Sequence, residues 1–136
     1  MQVFVPENTF SEIAKVLDYR RLGKQRVETF QILRANLGIT NGWKNHPASR
    51  MWLGYEAGLS AYGVAICKEW IARGYNDTTL EKITDLVEPD AEDLPEWWGR
   101  EDIMLSHRSN LIRKFPEFYR PIWGDIPDDL PYIWLT

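Results

Sequence analysis

Between residues 52 and 70, Trp52, Tyr55, Leu59, Tyr62, Ile66 and Trp70 recur every three or four positions, the spacing that lines one face of an α-helix. A stripe this wide has to be buried against other helices, and no segment shows the period-two alternation of a half-buried strand. The expected fold is all-α: a single compact helical domain over residues 1–136, with four to five helices and a Pro- and aromatic-rich extended C-terminal tail. Asn45-His46-Pro47 reads as the start of the central helix, because a proline in the first turn gives up an N–H that has no partner there. That helix is expected to run to Arg73 and stop at Gly74, with Gly54 and Gly58 letting another backbone come close.

The other helices follow from caps and stops. Thr9 or Ser11 can cap a short first helix running to about Asp18. A second covers about Tyr19 to Leu37, with Val27, Phe30, Leu33 and Leu37 as its apolar stripe and Gly38 beyond its end. Its other face carries Arg21, Lys24, Glu28 and Gln31 in one row. Helices at about Thr78 to Leu86 and Glu101 to Phe115 flank an acidic loop, and the four prolines from Pro116 onward predict a tail that is not regular helix.

Composition removes several kinds of chemistry. One cysteine, Cys67, cannot form an internal disulfide, and two histidines without a cysteine cluster argue against structural zinc. No metal or organic cofactor is expected. No apolar run reaches bilayer length, and MQVFVPENTF lacks a basic stretch followed by an apolar one, so the chain reads as a cytoplasmic monomer without a membrane partner. The net charge of −4 weighs against a polyanionic partner only until it is mapped. From Lys15 to Arg50 eight cations face Asp18 and Glu28, a window of +6, whereas Asp77 to Asp102 carries −8. The local field steers a polyanion, so a basic face remains available to nucleic acid.

Four motifs could carry chemistry: DYRRLGKQRVE, WKNHPASRMW, SHRSNLIRKFPEFYRPIWGD and DDLPYIW. None is a phosphate-binding glycine loop, a HExxH zinc motif or a GxSxG elbow. Arg20, Arg21, Lys24 and Arg26 crowd one helix start; from the residues alone they are phosphate contacts, solvated charge, partners of Glu28, or stems lying over the core. His46 is a helix cap or a pocket residue. His107 beside Arg108 can hold a phosphate or sugar oxygen, or be buried against the acidic segment. Trp43, Trp97 and Trp98 fall in loops, where an indole can serve as a platform for a nucleobase.

On these residues the chain resembles the pyrimidine-dimer DNA glycosylase family. Tyr19-Arg20-x-Leu22, Arg73-Gly74-Tyr75-Asn76 and Pro116-x-Phe118-Tyr119 carry the general likeness, and DxRRLGKQRVE, NHPAxRMW and HRSxLxRK resemble a bacterial and phage subgroup more closely. The resemblance implies amine chemistry: a free terminal α-amine attacks the sugar C1′, the base leaves, and an imine forms with help from a helix carboxylate. Gln2 is not a small residue, so the terminal amine is expected to be that of Met1. Arg21 stands where the family's carboxylate would sit, and the nearest substitute is Glu28, two turns along the same face. Lys24 could replace the amine if it is desolvated among cations.

The expected catalytic residues are thus Glu28, Lys24 and Met1, with Arg20, Arg21, Arg26, His46, Arg50, His107 and Arg108 for substrate and phosphate. The function read from them is a DNA glycosylase-like enzyme, with or without AP-lyase activity, acting on a damaged or modified base in duplex DNA. The alternatives are cleavage of the N-glycosidic bond in a free nucleotide or nucleoside, and a non-catalytic nucleic-acid-binding module on the same scaffold.

Overall fold

A computed structural model describes residues 1–135, and every regular element among them is helical. The helices are α1 (Phe10–Val16), α2 (Tyr19–Asn36), α3 (Pro47–Met51), α4 (Glu56–Ala72), α5 (Thr79–Leu86), α6 (Glu101–Lys114) and α7 (Pro116–Trp123). None is long and apolar enough to cross a membrane. The all-α expectation holds, with seven helices rather than four or five.

Most boundaries follow from local chemistry. The Thr9 hydroxyl accepts from the Glu12 N–H and caps α1, and the Asp18 carboxylate accepts from the Arg20 N–H and caps α2. Two boundaries differ from the sequence expectation. The long helix from Pro47 to Arg73 is broken between Trp52 and Tyr55, where Gly54 takes φ +91°. Gly54 therefore supplies a turn and not a close approach, and the break swings Trp52 into the core against Trp97 and Trp98. The tail is helical through Trp123, because Pro116 sits in the first turn of α7 and only Pro121 removes an internal N–H. Extended chain begins at Gly124, whose φ is +53°.

Helix α4 is the centre of the packing, against α1, α2 and α5. Leu59, Tyr62 and Ile66 of its stripe are fully buried. Gly58 does permit the close approach expected of it: a Cβ there would stand 1.8 Å from the Asp93 carbonyl oxygen. In exchange the Asp93 carboxylate accepts from the Gly58 N–H at 3.2 Å, satisfying a free donor in the first turn of α4 from the acidic loop. At the other end of α4, Arg73 reaches the carbonyls of Ala14, Lys15 and Leu17 at 3.2, 3.2 and 2.8 Å and closes the C-terminus of α1.

The buried face of α2 is not the expected stripe. Leu33 is buried, but Val27 and Leu37 are exposed, and the inward positions include polar Gln25 and Thr29 beside Leu22 and Ile32. The loop tryptophans also divide. Trp97 is buried and donates to the Met51 carbonyl, Trp98 is half-buried with its ring against Phe10, Trp52 and Trp97 and donates to the Asn8 carbonyl, and Trp43 stays exposed with its ring against His46.

Candidate active site

Residues 2–5 run buried between α2 and α6, and their backbone polar groups need partners that helices do not supply. Gln25 of α2 provides two of them. Its Oε1 accepts from the Phe4 N–H at 2.9 Å, and its Nε2 donates to the Gln2 carbonyl at 2.7 Å. One turn along α2, Glu28 Oε2 accepts from the Gln2 N–H at 3.2 Å and from Gln25 Nε2 at 3.3 Å. The Gln2 N–H belongs to the Met1–Gln2 peptide, so this bond holds Met1 beside the Glu28 carboxylate.

A cavity of ≈ 340 Å³ opens at this junction. Its wall brings together Met1, Arg20, Arg21, Lys24 and Glu28, five of the residues selected from the sequence. Lys114, from the end of α6, and Tyr132, from the extended tail, complete it. Both fall within motifs read from the sequence, SHRSNLIRKFPEFYRPIWGD and DDLPYIW, but nothing local assigns either to the site; only the path of the tail over α6 brings them to the N-terminus. That path is fixed by Ser106 Oγ donating to the Pro131 carbonyl and by the Leu130 N–H donating to Ser109 Oγ, at 2.7 and 3.0 Å.

Four cations around one carboxylate set the electrostatics. Burial first, then the charges of Arg21, Lys24 and Arg113, holds the Lys114 ammonium below its usual range, and Glu28 opposes the shift. Burial pushes the Tyr132 phenol up to about 12, so it is a neutral hydrogen-bonding group at physiological pH. Glu28 is largely buried and lies 4.0 Å from Lys24 Nζ. The Lys24 side chain is itself 74% exposed, so the desolvation that would make it a nucleophile is absent.

His46 borders this site. Its Nδ1 accepts from the Ala48 N–H at 3.0 Å and caps α3, which leaves the proton of the neutral ring on Nε2. Burial and the positive charge of the terminal amine hold its pKa below the ordinary value, and Glu28 pulls the other way. A T-shaped contact at 5.9 Å links its ring to Trp134, which in turn touches Tyr132.

The remaining candidates lie elsewhere. Arg26 pairs with Asp77 and stands 4.2 Å over the Trp70 ring. Arg50 is exposed at the end of α3 and lines no wall of this cavity. The reading of His107 and Arg108 as an anion clamp is corrected. Arg108 donates to the Pro6 carbonyl and to Glu7, at 2.7 and 3.1 Å, and serves to pin the N-terminal segment to α6.

His107 is wholly buried and accepts from the Val5 N–H at 2.8 Å through Nδ1, which requires the neutral ring. Burial lowers its pKa to about 3. The unfolded chain, with its histidine near 6.5, binds the proton that the folded state refuses, so acid favours unfolding. Stability should fall as pH drops from about 6.5 toward 3, by up to about 1.4 kcal/mol per pH unit from this group. Urea titrations across that range, with His107→Asn as comparison, measure it; an equal slope in the variant would assign the loss to other groups.

Two comparisons find nothing: no curated protein and no solved structure matches the chain significantly. A third finds a family. Residues 1–82, well over half of the chain, match the family model described as pyrimidine dimer DNA glycosylase. The matched segment contains the α2 row, Gln25 and the N-terminal residues, whereas Lys114 and Tyr132 lie beyond it.

Proposed function

The chain belongs to the pyrimidine dimer DNA glycosylase family, and from that premise we propose that it excises a damaged or modified base from DNA using the Met1 α-amine, with Glu28 as the assisting carboxylate. The observation that carries this reading is the bond from the Met1–Gln2 peptide N–H to Glu28 Oε2 at the mouth of a cation-rimmed cavity. An amine and a carboxylate held together in this way are the two groups that imine formation at a sugar needs.

In this reading the target nucleotide leaves the base stack and its sugar enters the cavity. The Met1 nitrogen forms a bond to C1′ as the bond from C1′ to the base breaks, and the electron pair departs with the base. Glu28 takes the first proton that the amine loses and returns it to the departing base; the sugar ring then opens as the C1′–O4′ bond breaks, the remaining N–H proton passes to the ring oxygen, and the imine is left. Arg20, Arg21, Lys24 and Lys114 neutralise the flanking phosphates, and Lys24 acts as a phosphate contact because its ammonium is solvated.

Borohydride trapping tests the chemistry. On a duplex with an abasic site the intact protein should condense with the aldehyde, lose water and give a covalent adduct on reduction. An added N-terminal residue that displaces the amine should abolish the adduct, while Lys24→Ala should keep it. No adduct from the intact protein overturns amine catalysis, and an adduct lost only in Lys24→Ala moves the nucleophile to Lys24.

A further inference from the structure

Around α2 the positions follow one another at 100° per residue, which puts Arg20, Lys24 and Glu28 on a single i, i+4, i+8 ridge. Arg21 and Gln25 face the cavity on one side of that ridge. On the other side lies a larger open groove of ≈ 710 Å³, walled by Tyr19, Gly23, Val27 and Trp70 and sharing the ridge residues with the cavity.

The groove is an aromatic surface. Tyr19 and Trp70 lie nearly parallel, with centroids 5.5 Å apart and an interplanar angle of 14°, and Tyr75 packs against both. Trp70 is held in place by donating to the Asn76 carbonyl at 2.8 Å and by the Arg26 guanidinium over its ring. Gly23 makes room for the indole, since a Cβ there would come within 3.1 Å of it. Tyr19 nonetheless remains 53% exposed, with its ring beside a ridge on which the Arg20 guanidinium forms no ion pair among the described residues. An exposed aromatic ring next to the unpaired Arg20 guanidinium and the solvated Lys24 ammonium is complementary to a nucleobase with its phosphate.

We propose that this groove binds the nucleobase adjacent to the target on the same strand, stacked on the Tyr19 ring, with the intervening phosphate on Arg20 and Lys24. The strand then crosses the α2 ridge with one nucleotide on each side, and the substrate is a strand in which two consecutive bases are unstacked. The proposal rests on DNA being the substrate of the cavity.

The test is a coupling measurement between one side chain and one base. Binding is measured for duplexes that carry a non-cleavable abasic analogue at the target, with the neighbouring base on the same strand present or removed. For the wild type, removing that base on one side of the target should weaken binding roughly tenfold, within the range that base–aromatic stacking contributes. For Tyr19→Leu the same removal should have no effect, and Tyr19→Phe, which keeps the ring, should restore the dependence. Equal dependence in the wild type and Tyr19→Leu overturns the groove assignment. Coupling to a base on the complementary strand alone overturns the same-strand path. Absence of DNA binding by every form overturns the DNA reading itself, an outcome distinct from binding without coupling.

Discussion

Glu28→Gln should slow base release by roughly a hundredfold or more while binding is kept or tightened. General acid–base assistance contributes roughly 10²–10⁴ in rate, and the amide can neither take up the amine's proton nor stabilise a developing cation. Its carbonyl oxygen can still accept from the Gln2 N–H, which Glu28 Oε2 accepts at 3.2 Å, so the Met1 peptide stays in place. The substitution also removes the only acidic group that the described residues place on the cavity wall, which otherwise carries Arg20, Arg21, Lys24 and Lys114. Affinity for DNA should therefore hold or rise as turnover falls, a split that loss of folding would not produce. Single-turnover base release beside equilibrium binding measures both quantities. A rate equal to that of the wild type would remove Glu28 from the chemistry. Glu28→Asp adds a geometric control, because the shorter side chain keeps the charge and withdraws it from the Gln2 N–H.

How much of this was legible in the sequence depended on whether the signal was local. The i, i+3, i+7, i+10 row of Arg21, Lys24, Glu28 and Gln31 is a property of one helix, and in the structure Lys24 and Glu28 border both the cavity and the groove, with Arg21 on the cavity wall and Gln31 on the groove wall. The His46 cap and Pro47 in the first turn of α3 are equally local. The break at Gly54 was not legible, because a glycine inside a helical stripe reads alike whether it admits a neighbouring backbone or turns the chain. Gly58, four residues on, does admit one. The errors at the site share one cause. His107 and Arg108 resemble an anion clamp in one dimension, but the demand of a buried N-terminal segment for partners commits both to the Val5 N–H and the Pro6 carbonyl. Lys114 and Tyr132 could be found only from the tertiary path of the tail. The same holds for Gln25, which a pattern of apolar residues passes over because it is polar and yet faces inward.

Gln25→Leu should lower the stability of the folded chain by about 2–5 kcal/mol and reduce activity further than the loss of folded protein explains. Gln25 is 1% exposed, and leucine matches it closely enough in size that packing is not the main loss. The loss is in polar partners: the Phe4 N–H and the Gln2 carbonyl would be left in the interior with nothing to bond. The Tyr62 hydroxyl, 2.7 Å from Gln25 Oε1 and 2.8 Å from the Phe4 carbonyl, would retain the second contact; burial, reinforced by the Glu28 charge, raises its pKa and keeps it protonated. The activity loss has a separate origin, since the same carboxamide joins the Gln2 carbonyl to Glu28 Oε2 and so fixes the amine relative to the carboxylate. Gln25→Glu divides the two effects. It keeps an acceptor for the Phe4 N–H but loses the Nε2 donor and sets a second negative charge beside Glu28. Urea denaturation and single-turnover base release on both variants should show Leu as the more damaging to stability and Glu as damaging chiefly to the rate. If Gln25→Leu unfolds within about 0.5 kcal/mol of the wild type, the carboxamide is not what holds the N-terminal segment, and the placement of Met1 against Glu28 must come from Arg108 and His107 instead.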